Sequence, residues 1–108
     1  IPANDKNTNK YKADVSDFNT VFFNKETFNV NSIFLNALNQ LLIIKEFKDE
    51  QAAKDYYKIF KLNQQQLQDL NAKNYQYFII SNDNFVIFYS DKNIPDYLTF
   101  FNKQFGLE

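Results

Sequence analysis

The sequence predicts an α+β domain, and three observations carry that prediction. The run Leu41-Leu42-Ile43-Ile44 is apolar, strand-sized and bounded by polar residues. Ala52, Ala53, Tyr56, Ile59 and Phe60 recur at the spacing of one helix face. Thirteen Phe and seven Tyr among 108 residues supply enough apolar surface for one core, which argues against disorder.

The elements follow in order. Residues 1–10 are polar and read as a loop, and within 1–15 the alternation of Tyr11, Ala13 and Val15 with Lys12 and Asp14 allows a short first strand. Ser16 suits a helix N-cap and Asp17 suits the positive end of a helix dipole. With Phe18, Val21 and Phe22 at helical spacing, they predict a short helix over 17–24. Residues 28–35 and 40–47 predict a β-hairpin around the turn Asn36-Ala37-Leu38-Asn39, with Leu41 to Ile44 buried on both faces.

Asp49 caps the next helix, the one carrying Tyr56. Residues 63–70 are polar with two leucines and form a short helical turn. Tyr75 to Ser81 predicts another strand. Residues 81–89 allow either a turn into a strand or a helix capped by Ser81 with Phe85, Phe88 and Tyr89 inward, and the helix is preferred. Asn93 caps the last helix, Pro95 sits in its first turn, Leu98, Phe101 and Phe105 form its stripe, and Gly106 ends it. Leu41–Phe60 and Phe78–Phe101 echo one another, as any two strand-then-helix units do. Residues 16–106 are expected to form one α+β domain. Leu107-Glu108 read as cloning-derived residues ahead of a purification tag, and a start at Ile1 without Met reads as a beginning inside a longer protein or after processing.

Composition narrows the function. All twelve basic residues are Lys and the formal charge is −1, which removes the basic stripe and the forked Arg donors of a nucleic-acid binder. No apolar run reaches the roughly 20 residues of a membrane span. With no His and no Cys, the usual proton-transfer groups and nucleophiles are missing, and no metal or cofactor motif occurs. The pairs Asp14/Asp17, Asp49/Glu50 and Asp91/Asp96 read as helix-start and turn residues rather than as acid and base. A hydrolase reading would need two carboxyl groups roughly 5–9 Å apart in a pocket. The tyrosines remain, each an apolar ring with a polar tip, and Tyr57, Tyr75 and Tyr77 with Lys45 are the candidate interaction surface.

The segment Leu41 to Asp49, followed by Ala52-Ala53-Lys54-Asp55-Tyr56-Tyr57, resembles the second half of a SPOR-type (sporulation-related repeat) βαββαβ domain. Tyr77-Phe78-Ile79-Ile80-Ser81, Asn84-Phe85, Phe88 to Asn93, Tyr97-Leu98 and Phe100-Phe101 are similar to the C-terminal regions of tetratricopeptide-repeat lipoproteins of Bacteroidetes linked to gliding motility and type IX secretion. The likeness spans roughly residues 16 to 105, and Glu46 stands where SPOR domains carry Gly. It implies a ferredoxin-like antiparallel sheet packed by two helices with C-terminal helices added, and an envelope protein. Its expected function is protein interaction or scaffolding, with self-association or a protein partner. Peptidoglycan binding is the alternative. The first strand, central in such a sheet, is short here, so the missing strand is expected upstream of Ile1 or from another molecule.

Overall fold

The structure, a computed structural model, describes residues 1–71, 73 and 75–106. Leu107 and Glu108, the expected cloning remnant, lie outside the described residues. The fold is α+β, and the chain divides into two units, residues 1–76 and 77–108.

In the first unit, α1 runs Thr8–Phe22 and takes in both the expected first strand and the expected helix start. Tyr11, Val15 and Phe18 lie four and three residues apart, and all three are buried. Helical periodicity therefore prevails over the local alternation of Tyr11, Ala13 and Val15, because only the helix puts all three rings and chains on one face. Ser16 is inside this helix, where its carbonyl accepts the Thr20 hydroxyl, and does not cap it.

β1 (Asn29–Phe34) and β2 (Gln40–Lys45) pair antiparallel, with Asn29 opposite Lys45 and Phe34 opposite Gln40. Asn36 closes the turn by accepting the Leu38 and Asn39 N–H groups on its side-chain oxygen, each at 2.9 Å. Residues 1–3 seat one antiparallel bridge beside β2: Ala3 N–H donates to Leu38 O and Gln40 N–H to Ile1 O. Glu46 ends the hairpin at φ +77°, a left-handed backbone that glycine adopts without strain.

A ferredoxin-like sheet needs four strands, whereas the sheet of the described residues has two. Leu41 to Ile44 are accordingly half-buried rather than covered on both faces. The expected strand Tyr75 to Ser81 pairs with no other strand among the described residues. Its backbone is met otherwise: the Ile79 carbonyl accepts the Tyr97 hydroxyl.

α2 (Glu50–Leu62) starts where Asp49 accepts the Ala52 N–H at 2.8 Å. It buries Ala53, Tyr56 and Phe60. A 3₁₀ turn over Gln64–Gln66 and the short α3 (Gln68–Asn71) follow, carrying the buried Leu67 and Leu70. The core gathers around Tyr56, whose ring lies 5.0–6.0 Å from those of Phe18, Phe23, Phe28, Phe47 and Phe60.

In the second unit, α4 runs Asn82–Asp91 and α5 Ile94–Phe105. The Ser81 hydroxyl accepts the Asn84 N–H at 3.1 Å, so the helical alternative over 81–89 is the one adopted. Phe88 is buried, Phe85 is half-buried, and Tyr89 is exposed rather than inward. Asn93 caps α5 by accepting the Asp96 N–H at 3.1 Å, and Gly106 ends it at φ +58°. The buried stripe of α5 is Tyr97 and Phe101, with Leu98 and Phe105 half-buried.

Candidate functional site

The second unit holds an open groove of about 470 Å³ between α4 and α5. Two caps and one turn build it. Ser81 starts α4, Lys92 closes it in a left-handed conformation at φ +57°, and Asn93 starts α5 directly afterwards. Two residues, Lys92 and Asn93, thus separate the helices, and the last turn of α4 comes beside the first turn of α5. Phe88 and Tyr97 meet at 5.7 Å between ring centroids and make the floor. Asn84 and Ile87 on α4 and Phe100 on α5 make the walls.

The polar rim is one-signed. Asp91, Asn93 and Asp96 line the groove, and no Lys does. Asp96 also has a structural task, since its carboxylate accepts the Asn93 side-chain amide at 2.9 Å while Asn93 caps its N–H. Asp91 has none of that kind. It is the last residue of α4, where the helix dipole is negative and a carboxylate is disfavoured. Among the described residues its carboxylate has no hydrogen-bond or ion-pair partner. The neighbouring Lys92 ammonium lies 4.1 Å from the centroid of the Tyr89 ring.

The walls of the groove and the exposed side of α4 carry apolar side chains. Val86 is 71% exposed, Ile87 60% and Phe100 43%. A helix of α4's composition, Phe85-Val86-Ile87-Phe88-Tyr89 in one run, carries more apolar side chains than one buried face can take. That excess was the signal in the sequence for this surface. The reading of Asp91 and Asp96 as cap and turn residues covers Asp96 and leaves Asp91 unaccounted for.

The expected interaction residues are placed as follows. Tyr57 is half-buried on α2, Lys45 is exposed at the end of β2, and Tyr75 is half-buried, donating its hydroxyl to Gln64 Oε1 with its ring 6.5 Å from Phe60. Tyr77 belongs to the second unit and is half-buried, which raises its hydroxyl pKa. Burial likewise pushes the Tyr97 hydroxyl up to about 12 and raises those of Tyr56 and Tyr11.

In the other expected carboxylate pairs, Asp14 and Asp49 hold backbone N–H groups and Glu50 pairs with Lys54 at 3.1 Å. Asp49 caps α2. Asp14 and Asp17 lie within α1 rather than at a helix start, and buried Asp14 reaches across to accept the Asp69 and Leu70 N–H groups at 2.7 and 2.8 Å. Among the described residues no group of three or more carboxylates is placed to hold a metal ion, and no helix is long and apolar enough to cross a membrane.

No protein-family model matches the chain, and no curated protein or solved structure matches it significantly. The groove and the apolar surface beside it are therefore read on their own chemistry.

Proposed function

We propose that this chain is a non-catalytic protein-interaction and scaffolding module of a larger bacterial envelope protein, and that the α4–α5 surface is its contact face. One observation carries the reading. A two-helix unit presents Val86, Ile87 and Phe100 to solvent in and beside an open groove. Exposed apolar side chains beside polar ones are the composition of a docking surface.

Envelope placement and descent from tetratricopeptide-repeat lipoproteins belong to this proposal and rest on the resemblance of Tyr77 to Phe101. The ferredoxin-like arrangement belongs to it as well. The hairpin followed by α2 supports that part, with further strands needed to complete the sheet. The test is a photo-crosslinking residue placed at Ile87 in the parent protein in cells, with the exposed Lys58 as control. Defined adducts at Ile87 and none at Lys58 support the reading, and their absence at Ile87 overturns it.

Peptidoglycan binding is the second reading. The composition of the groove supports it, because the Tyr97 and Phe100 rings and the Asn84 amide line it together, the side-chain types that meet sugar rings and hydroxyls. Specific retention on cell-wall sacculi, lost on Phe100→Ala, would select it over a protein partner.

A further inference from the structure

We propose that the α4–α5 groove takes a basic, amphipathic segment of a partner protein, with a lysine or arginine side chain of that segment seated against Asp91. The inference rests on the interaction reading above and names the chemistry of the partner. Three features of the groove argue for it together.

The first is the charge of the lining. Its two ionisable groups besides Tyr97, Asp91 and Asp96, are both carboxylates. The second is the position of Asp91. A carboxylate on the last residue of a helix adds to the partial negative charge of the free carbonyls there and costs stability rather than adding it. An external cation at that point would be drawn by the side chain and by the helix end at once. The nearest cation of the chain in sequence, Lys92, is over Tyr89, which does not line the groove. The third is the company Asp91 keeps. Ile87 and Phe100 are exposed on the walls, so a small hydrated cation would satisfy the carboxylate and leave the apolar surface wet. A side chain that carries its charge on an apolar stem, with apolar neighbours one helical turn away, meets both.

The charge at Asp91 is therefore a selectivity element: it sets which apolar segment docks, by attraction to a basic one and repulsion of an acidic one. The same placement separates this role from a structural one. Asp91→Asn removes a charge from the unfavourable end of α4, so it is expected to leave folding unchanged or slightly improved.

The test is an NMR titration of the isotope-labelled chain with two synthetic amphipathic helical peptides of equal length, one of leucine and lysine and one of leucine and glutamate. The leucine–lysine peptide is expected to shift the amides of Asn84, Ile87, Asp91 and Phe100, and the leucine–glutamate peptide to leave them in place. Asp91→Asn is expected to weaken the lysine peptide about fivefold, the upper range for a partly exposed ion pair, with no loss of thermal stability. Equal response to both peptides at Ile87 and Phe100 overturns the basic preference and leaves the docking surface standing. No shift in residues 81–105 with either peptide, or shifts confined to residues 1–76, overturns the groove as the site. Unchanged lysine-peptide affinity in Asp91→Asn overturns the role of that carboxylate.

Discussion

The two units use the same amino acids differently. In residues 1–76 the rings are gathered inward around Tyr56, and the buried polar groups answer one another: the Tyr56 hydroxyl donates to Asn19 Oδ1 at 2.6 Å, and Asp14 holds two backbone N–H groups. Gln40 does the same at the hairpin. Its amide donates to the Pro2 and Asp5 carbonyls while its oxygen accepts the Thr8 hydroxyl. In residues 77–106 the rings of Phe78, Phe88, Tyr97 and Phe101 form a small core, and Val86, Ile87 and Phe100 remain outside it. The first unit gathers most of its rings into a satisfied interior and leaves Val21, Phe34, Leu38 and Leu62 exposed on three different elements and a turn. The second, less than half as long, leaves Val86, Ile87, Tyr89 and Phe100 exposed on two consecutive helices, where they supply surface for contact.

The comparison breaks most visibly at Phe18, which is 1% exposed and in contact with Phe22, Phe23, Tyr56 and Phe60. Phe18→Ala is expected to cost about 3–5 kcal/mol of unfolding free energy, read from urea denaturation, because it deletes the ring and leaves a cavity that α1 and α2 close only in part. A cost under about 1 kcal/mol would show that the ring cluster is not the centre of this unit.

Asp14→Ala comes next, at about 1–3 kcal/mol, because it strands the Asp69 and Leu70 N–H groups in a place where water reaches poorly. Asp14→Asn keeps one acceptor oxygen and should recover part of that loss. Equal stability of the Ala and Asn variants would remove the cross-chain cap from the account.

High pH tests the second unit. Burial raises Tyr97 to about 12, and in the unfolded chain the hydroxyl ionises near its ordinary value of 10. The stability tied to the neutral hydroxyl is complete below about pH 10 and lost as pH climbs towards about 12. Tyr97→Phe is expected to flatten that decline. It also removes the hydrogen bond to the Ile79 carbonyl, so the variant should be less stable than the parent at neutral pH. At the other end of the scale, Asp5 sits below its usual pKa, first through the Tyr11 hydroxyl and then through the Asn7 N–H. The contact of the first residues with α1 therefore weakens as acid protonates it.

How much of this was legible follows from the range over which each signal acts. Asp49, Ser81, Asn93 and Gly106 were readable because a cap is decided within four residues. The hairpin was readable from Leu41 to Ile44 and the polar turn. The start of α1 was misread because Tyr11, Ala13 and Val15 alternate over only five residues, and the face that overrules them appears only when Phe18 is counted with them. Tyr75 to Ser81 has the side-chain pattern of a strand, but pairing is decided by a partner elsewhere in the chain, and the Tyr97 hydroxyl is what meets Ile79. The groove was hidden for a related reason. Asp91 and Asp96 are both near helix ends, and only the order of those ends shows that one favours a carboxylate and the other does not.

Glu46 gives a smaller effect with the opposite sign. At φ +77° a side chain is strained, and Glu46→Gly is expected to raise stability by up to about 1 kcal/mol, the lower end of the left-handed penalty, less the entropy glycine adds to the unfolded chain. A loss instead of a gain would mean that the Glu46 side chain contributes something that its backbone conformation conceals.

The smallest effect on stability is the most informative about the second unit. Ile87→Ser replaces a side chain that is 60% exposed and should change the unfolding free energy by no more than about 0.5 kcal/mol, and Phe100→Ser, 43% exposed with its ring 5.6 Å from that of Tyr97, by about 1 kcal/mol. The same changes in the core would be ruinous, and that contrast is the point of the experiment. If either variant costs as much as a core substitution, the ring or chain is packed in solution and the surface is part of the fold. If both are near neutral to folding yet abolish the response to the leucine–lysine peptide expected at this face, the exposed residues are kept for a partner. The two units then differ by purpose, the first holding itself together and the second holding something else.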